Sequence, residues 1–133
     1  MSIGPFVTQR DIVEVRHDDT LSEAAARMRA RSVGSAIVTP PAGSAFGIIT
    51  ERDILRALAD GADPGAARVA AYMTGNAMTI TAEWHVVEAA TTMMEKGFRH
   101  LIVVDDEGRA VGVLSIRDIV RALLHDRQRM AAG

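Results

Sequence analysis

The sequence contains no cysteine, which excludes disulfides, thiolate nucleophiles and thiolate metal sites together. It has no run of about eighteen apolar residues, and residues 1–11 lack a basic segment followed by an apolar one, so neither a membrane helix nor a secretory leader is expected. The expected compartment is the cytoplasm, with no membrane partner. A basic excess is also missing: the formal net charge is −2, which removes any bulk attraction to nucleic acid or anionic lipid. No Gly-x-Ser-x-Gly string and no recognisable Ser, His and acid arrangement is present, so nothing points to nucleophilic catalysis and an enzyme is not expected. His17, His85, His100 and His125 lack metal-ligand spacing, and Asp105-Asp106-Glu107 lacks the alternation of a calcium loop, so no metal and no required cofactor are expected.

What is present is a globular balance, 48% hydrophobic and 24% charged in 133 residues, enough for one compact core. Its chief organising feature is a duplication. Sliding the chain by 65 positions carries Glu23-Ala24-Ala25 onto Glu88-Ala89-Ala90, Met28 onto Met93, Ile37-Val38 onto Ile102-Val103 and Gly47 onto Gly112. The same shift carries Arg52-Asp53-Ile54 onto Arg117-Asp118-Ile119 and Arg56-Ala57-Leu58 onto Arg121-Ala122-Leu123. Two copies of one supersecondary unit follow, each too small to bury its apolar face well alone.

Within each copy the hydrophobic period changes along the chain. Residues 13–16 and 78–81 alternate as short strands. Leu21, Ala24, Ala25 and Met28, and then Val86, Ala89, Ala90 and Met93, recur at i, i+3, i+4, i+7, the stripe of an amphipathic helix. Thr20 and Glu23 have the spacing of a capping box. Residues 35–39 and 100–104 read as strands followed by turns, Pro40-Pro41-Ala42-Gly43 and Asp105-Asp106-Glu107-Gly108, with returning strands at 46–50 and 110–115 that run into second helices. Asp63-Pro64 resembles the start of a short helix. Each copy therefore reads β-α-β-β-α, with boundaries at 12–60 and 77–125, a lead-in at 1–11, a linker at 61–76 and a C-terminal tail at 126–133. The fold class is α+β, two repeats packed with pseudo-twofold symmetry.

The sharpest paired feature is Gly-x-x-[Thr/Ser]-x-Arg-Asp, written by Gly47, Thr50, Arg52 and Asp53 and again by Gly112, Ser115, Arg117 and Asp118. It straddles the end of a strand and the first turn of a helix, where free N–H groups and the helix dipole favour an anion such as phosphate. An ionised aspartate only accepts, and its two oxygens suit a ribose 2′,3′-diol. Thr50 or Ser115 can donate to ribose or phosphate oxygen, and a glycine lets a flat base approach backbone. Thr50 with Asp53 and Ser115 with Asp118 also have the spacing of an N-cap and its N3 acid, so capping alone accounts for those pairs. The glycine, the arginine and their recurrence are left over.

The order of elements, the duplication and these two strings resemble the cystathionine-β-synthase (CBS) domain family, and a tandem pair of such domains is called a Bateman module. The resemblance covers residues 12–125. It implies a non-catalytic sensor of an adenine nucleotide, AMP, ADP, ATP or a related adenosyl ligand, held in a cleft between the repeats. Asp53 and Asp118 would bind ribose, Thr50 and Ser115 ribose or phosphate, with Arg52 and Arg117 in the same strings. The positions around Val15-Arg16 and Ile80-Thr81 would contact the base. Arg99-His100-Leu101-Ile102-Val103-Val104-Asp105 is similar to a family stretch whose basic pair reaches phosphates. The first copy has Gly34-Ser35 there, so only the second offers Arg99 and His100. Family modules commonly pair through their helices, which implies a homodimer acting in trans on an unidentified regulated protein. Two rival readings stand beside this one: a ligand-independent interaction and dimerisation module, and a nucleic-acid binder using Arg10, Arg16, Arg27, Arg29 and Arg31.

Overall fold

The computed structural model describes residues 1–7, 12–41 and 45–132. Arg10 of the nucleic-acid reading and Ala42-Gly43 of the first hairpin turn lie outside them. The chain divides into two compact units, one formed by Asp11–Ala77 and the other by Met1–Arg10 with Met78–Gly133.

The first unit is built from β1 (Glu14–Arg16), α1 (Leu21–Arg31), β2 (Ser35–Thr39), β3 (Gly47–Thr50) and α2 (Glu51–Ala59), followed by one 3-10 turn, η2 (Val69–Ala71). The second begins with a 3-10 turn, η1 (Gly4–Phe6), and continues with β4 (Thr79–Ile80), α3 (Val86–Lys96), β5 (His100–Val104), β6 (Ala110–Ser115) and α4 (Ile116–Ala132). Both sheets have the same topology. The first strand pairs parallel with the second across the helical crossover, and the second pairs antiparallel with the third through a hairpin. The architecture is α+β in two similar halves.

The 65-residue duplication reappears as two matching cores. Val15, Leu21, Ala24, Met28, Ala36, Val38, Ile49 and Ala57 pack together in the first unit. Ile80, Val86, Ala89, Met93, Leu101, Val103, Leu114 and Ala122 pack in the second. Period two on the strands and 3.6 on the helices put these positions on facing surfaces, so a repeated pattern yields a repeated core.

Local boundaries differ from expectation where backbone partners decide them. Residues 78–81 narrow to a two-residue strand. Asp63-Pro64 opens a single turn instead of a helix, closed by Ala66 N and Ala67 N donating to the Asp63 carbonyl at 3.0 and 2.7 Å. The chain then leaves the helical path, because Ala67 and Val69 bond to the β1–α1 turn: Leu21 N donates to Ala67 O at 3.0 Å and Val69 N to Asp19 O at 2.8 Å. At the other end α4 takes in residues 126–132 of the expected tail, a stretch of strong helix formers with no breaker before Gly133. The expected lead-in contributes Ile3, which is fully buried in the second unit's core.

Candidate functional site

Each Gly-x-x-[Thr/Ser]-x-Arg-Asp string spans a strand–helix junction with no intervening loop. β3 ends at Thr50 and α2 starts at Glu51, while β6 ends at Ser115 and α4 starts at Ile116. Thr50 is the N-cap in extended conformation, and its box is complete: Asp53 N donates to Thr50 Oγ1 at 3.2 Å, and Thr50 N donates to Asp53 Oδ2 at 2.8 Å. Ser115 and Asp118 repeat the arrangement at 3.3 and 2.7 Å, with a third bond from Ser115 Oγ to Asp118 Oδ2 at 3.0 Å. Capping is therefore realised in both copies, and in both it engages a single carboxylate oxygen. The other oxygen, Oδ1, lies 3.9 Å from Arg56 in the first unit and 3.6 Å from Arg121 in the second, one helical turn on. These are ion-pair distances, longer than a hydrogen bond, to arginines that are mostly exposed. Asp118 is the more enclosed of the two, at 5% side-chain exposure against 13% for Asp53.

Arg52 and Arg117 are exposed in the first helical turns and make no hydrogen bond or ion pair among the described residues. Arg99 is exposed just before β5, and its carbonyl accepts from Ile116 N at 3.0 Å. His100 opens β5 directly opposite Ser115 of β6, so the two side chains share one face of the sheet. The second junction thus gathers Arg99, His100, Ser115 and Asp118. At the first junction Gly34 stands where Arg99 stands in the second, its carbonyl accepting from Glu51 N at 2.9 Å. The Glu51 carboxylate lies over Gly34, 3.1 Å from where a Cβ would be. A carboxylate therefore flanks the first junction at the chain position that Arg99 occupies in the second.

The expected base-contact positions differ in exposure. Val15 and Ile80 are buried core residues. Arg16 is exposed, with its backbone N donating to Asp19 Oδ2 at 2.8 Å and its guanidinium 3.6 Å from the likewise solvent-facing Asp18. The Thr81 hydroxyl donates to the Glu83 carboxylate, which is the main reason that Glu83 titrates below its ordinary range. In the nucleic-acid reading, Arg27 is tied to Glu14 O at 3.1 Å and to Asp19 at 3.6 Å, and Arg29 and Arg31 end α1, where the helix dipole favours cations. Among the described residues no group of three or more His, Asp or Glu is placed to hold a metal ion, and no helix is long and apolar enough to cross a membrane.

Two features escaped sequence reasoning. Gly47 has a packing reason to lack a Cβ: one built there would stand 2.8 Å from Met73 Sδ and 3.1 Å from Thr74 O. Thr74 exchanges two backbone bonds with Ile48, each 2.9 Å, so the 73–74 segment lies flush on β3. Beside it is a cavity of about 240 Å³ lined by His17, Val38, Gly47, Ala70, Met73 and Asn76, among others. Of the expected ligand string only Gly47 lines it, since Thr50 sits at the far end of β3. The second feature is the segment bearing Ile3, whose only signal is an apolar pattern, Ile3, Phe6 and Val7, matching Val69, Tyr72 and Met73 at a shift of 66.

The family model for the CBS domain matches residues 5–60 and again residues 69–125. The chain belongs to the CBS domain family. An uncharacterized 17.7 kDa protein of Acidianus ambivalens is 39% identical over 110 residues, covering 83% of this chain and 66% of that one. The chain spans about two thirds or less of the length of the curated relatives it matches. Among solved structures, a CBS domain protein from Pyrobaculum aerophilum in complex with AMP is 30% identical, with a TM-score of 0.76 over 89% of each chain. A hexameric CBS-CP12 protein from bloom-forming cyanobacteria is 26% identical, with a TM-score of 0.83 over 90% of this chain and 70% of that one.

Proposed function

We propose that this CBS pair is a regulatory module, not an enzyme, that binds an adenine nucleotide at its strand–helix junctions and passes occupancy to a partner protein. The observation that carries this reading is the recurrence of one junction in both units, each with an arginine side chain that makes no hydrogen bond or ion pair among the described residues and a carboxylate oxygen left over from capping. One aspartate can cap its helix through Oδ2 and still accept from a ribose hydroxyl through Oδ1. The AMP bound by the Pyrobaculum relative has the chemistry these groups fit, a ribose diol for the aspartate and a phosphate for the arginines. The second junction is the better phosphate site, because Arg99 and His100 stand there while Glu51 flanks the first. Calorimetric titration with AMP, ADP, ATP and S-adenosylmethionine tests the reading. Saturable binding that is lost in Asp53→Ala, Asp118→Ala supports it, and no heat with any of the four ligands overturns it.

A specific observation favours a second reading, the ligand-independent interaction module. Both aspartates already have a complete structural task, and α4 exposes Ile116, Val120, Leu123 and Leu124 along one side. Normal self-association in the double aspartate variant together with absent nucleotide binding in wild type would put this reading first.

A further inference from the structure

The 3-10 turn η1 and the residues before it zip onto the second unit's β4–α3 turn. Ile3 N donates to Trp84 O at 2.9 Å, Gly4 N to Ala82 O at 3.2 Å, and Val86 N to Met1 O at 2.9 Å, with Ser2 bridged antiparallel to His85. The first unit makes the same pattern with the segment before and within η2: Val69 N to Asp19 O at 2.8 Å, Ala70 N to His17 O at 2.9 Å, and Leu21 N to Ala67 O at 3.0 Å, with Thr20 bridged to Arg68. Ile3 and Val69 are the fully buried anchors of the two zips. The Phe6 ring adds an edge contact to His125 of α4, with centroids 5.8 Å apart. The two segments are thus equivalent parts with opposite placements in the chain. The first unit is clamped by residues that follow its own α2, whereas the second is clamped by the chain's first seven residues.

We propose that residues 1–7 act as a strap that positions the second unit's ligand turn, with Ile3 as its positioning residue. The strap bonds to the carbonyls of Ala82 and Trp84, and the turn between them is itself closed by Trp84 N donating to Thr81 O at 3.2 Å. Holding that turn fixes Thr81 and the end of β4, the stretch assigned to the base of the nucleotide. The assignment to the nucleotide rests on the function proposed above, whereas the clamp itself does not. Residues 1–7 touch the ligand at no point in this scheme; they act through the backbone of 81–85.

Amide hydrogen exchange on the full-length chain tests the clamp. In Ile3→Ala, exchange at Gly4 and Val86 should rise about tenfold or more, because truncating a buried anchor costs well over one factor of ten in local opening. Exchange at Leu21, Val69 and Ala70 should not change. Val69→Ala should give the converse pattern, and Ile3→Val should restore wild-type protection, since valine already fills the equivalent place. AMP titration of the same variants tests positioning: Ile3→Ala should weaken binding several-fold and Ile3→Val should not. If wild type fails to bind AMP, the nucleotide assignment fails while the exchange arm still decides the clamp. Unchanged protection at Val86 in Ile3→Ala would overturn the strap. Increased exchange with unchanged AMP affinity would overturn its positioning role.

Discussion

Asp118 carries two roles that a single substitution can separate. Its Oδ2 accepts from Ser115 N and Ser115 Oγ, so Asp118→Ala leaves an N–H without its acceptor and should cost about 1–2 kcal/mol of stability, the usual range for a lost cap. Asp118→Asn retains one acceptor oxygen and should move the melting temperature much less. For nucleotide the order changes. The asparagine directs an NH₂ toward hydroxyls that were donating, so affinity should fall by about 1.5–3 kcal/mol in either variant. A 2′-deoxy nucleotide should bind wild type more weakly and lose little more in the variants, because the contact it deletes is already gone. Calorimetry beside thermal denaturation reads both effects, and affinity that merely tracks stability would return Asp118 to capping alone. Arg99 gives a second test at this scale. Being permanently charged and exposed beside the second junction, it should matter more as phosphates are added, so Arg99→Ala should weaken ATP more than AMP and adenosine least. Equal losses across the three would remove its phosphate role.

At the scale of elements, the second hairpin is held by one side chain. Asp105 Oδ1 accepts from Glu107 N at 3.0 Å and Arg109 N at 2.9 Å, and Oδ2 from Arg109 Nε at 3.2 Å. The bond from the Arg109 backbone is the largest cause holding the Asp105 carboxyl below its ordinary value of 3.8. A depressed folded value means that the stabilisation is complete above the ordinary carboxylate range. It is lost as the pH falls through the depressed value. Asp105→Asn keeps the turn's acceptor but cannot titrate, so its melting temperature should fall less steeply on acidification than that of wild type. Superimposable acid limbs would exclude the contribution. The elements themselves were largely legible in sequence, because each is set by a local pattern or cap: the stripes of α1 and α3, the short apolar runs of β2 and β5 bounded by turns, and the Thr50 and Ser115 caps. Contacts made far along the chain were not. Nothing local to Asp63-Pro64 shows that Ala67 and Val69 will bond to the β1–α1 turn, and nothing near Ile3 shows that it joins the core of residues some eighty positions away. The placement of the two strings was legible to a similar depth. The junctions lie where the strings placed them, while the engagement of Arg16 by Asp18 and Asp19, and the position of Glu51 over Gly34, depend on packing that no spacing encodes.

For the molecule as a whole, the question left by these surfaces is what covers the helices. Ile116, Val120, Leu123 and Leu124 follow i, i+4, i+7, i+8 on α4, each between 44% and 53% exposed, and α2 exposes Leu55 and Leu58. Scattered apolar residues on a surface need no explanation, but a stripe at helical spacing has the form of a packing face. A second copy of the chain is the proposed cover, and a twofold dimer would bury the same stripe of both copies in one contact. Multi-angle light scattering should give a mass above the monomer in wild type at micromolar concentration. Val120→Asp with Leu124→Asp should shift that mass toward the monomer, since two charges would have to be desolvated in the contact. Because both side chains are about half exposed in the single chain, the substitutions should leave the thermal transition of each unit close to wild type. AMP should still bind the monomeric variant if the junctions alone make the site, and its loss there would mean that pairing completes it. Wild type that stays monomeric at high concentration would sink the dimer and leave the α4 stripe to a different protein.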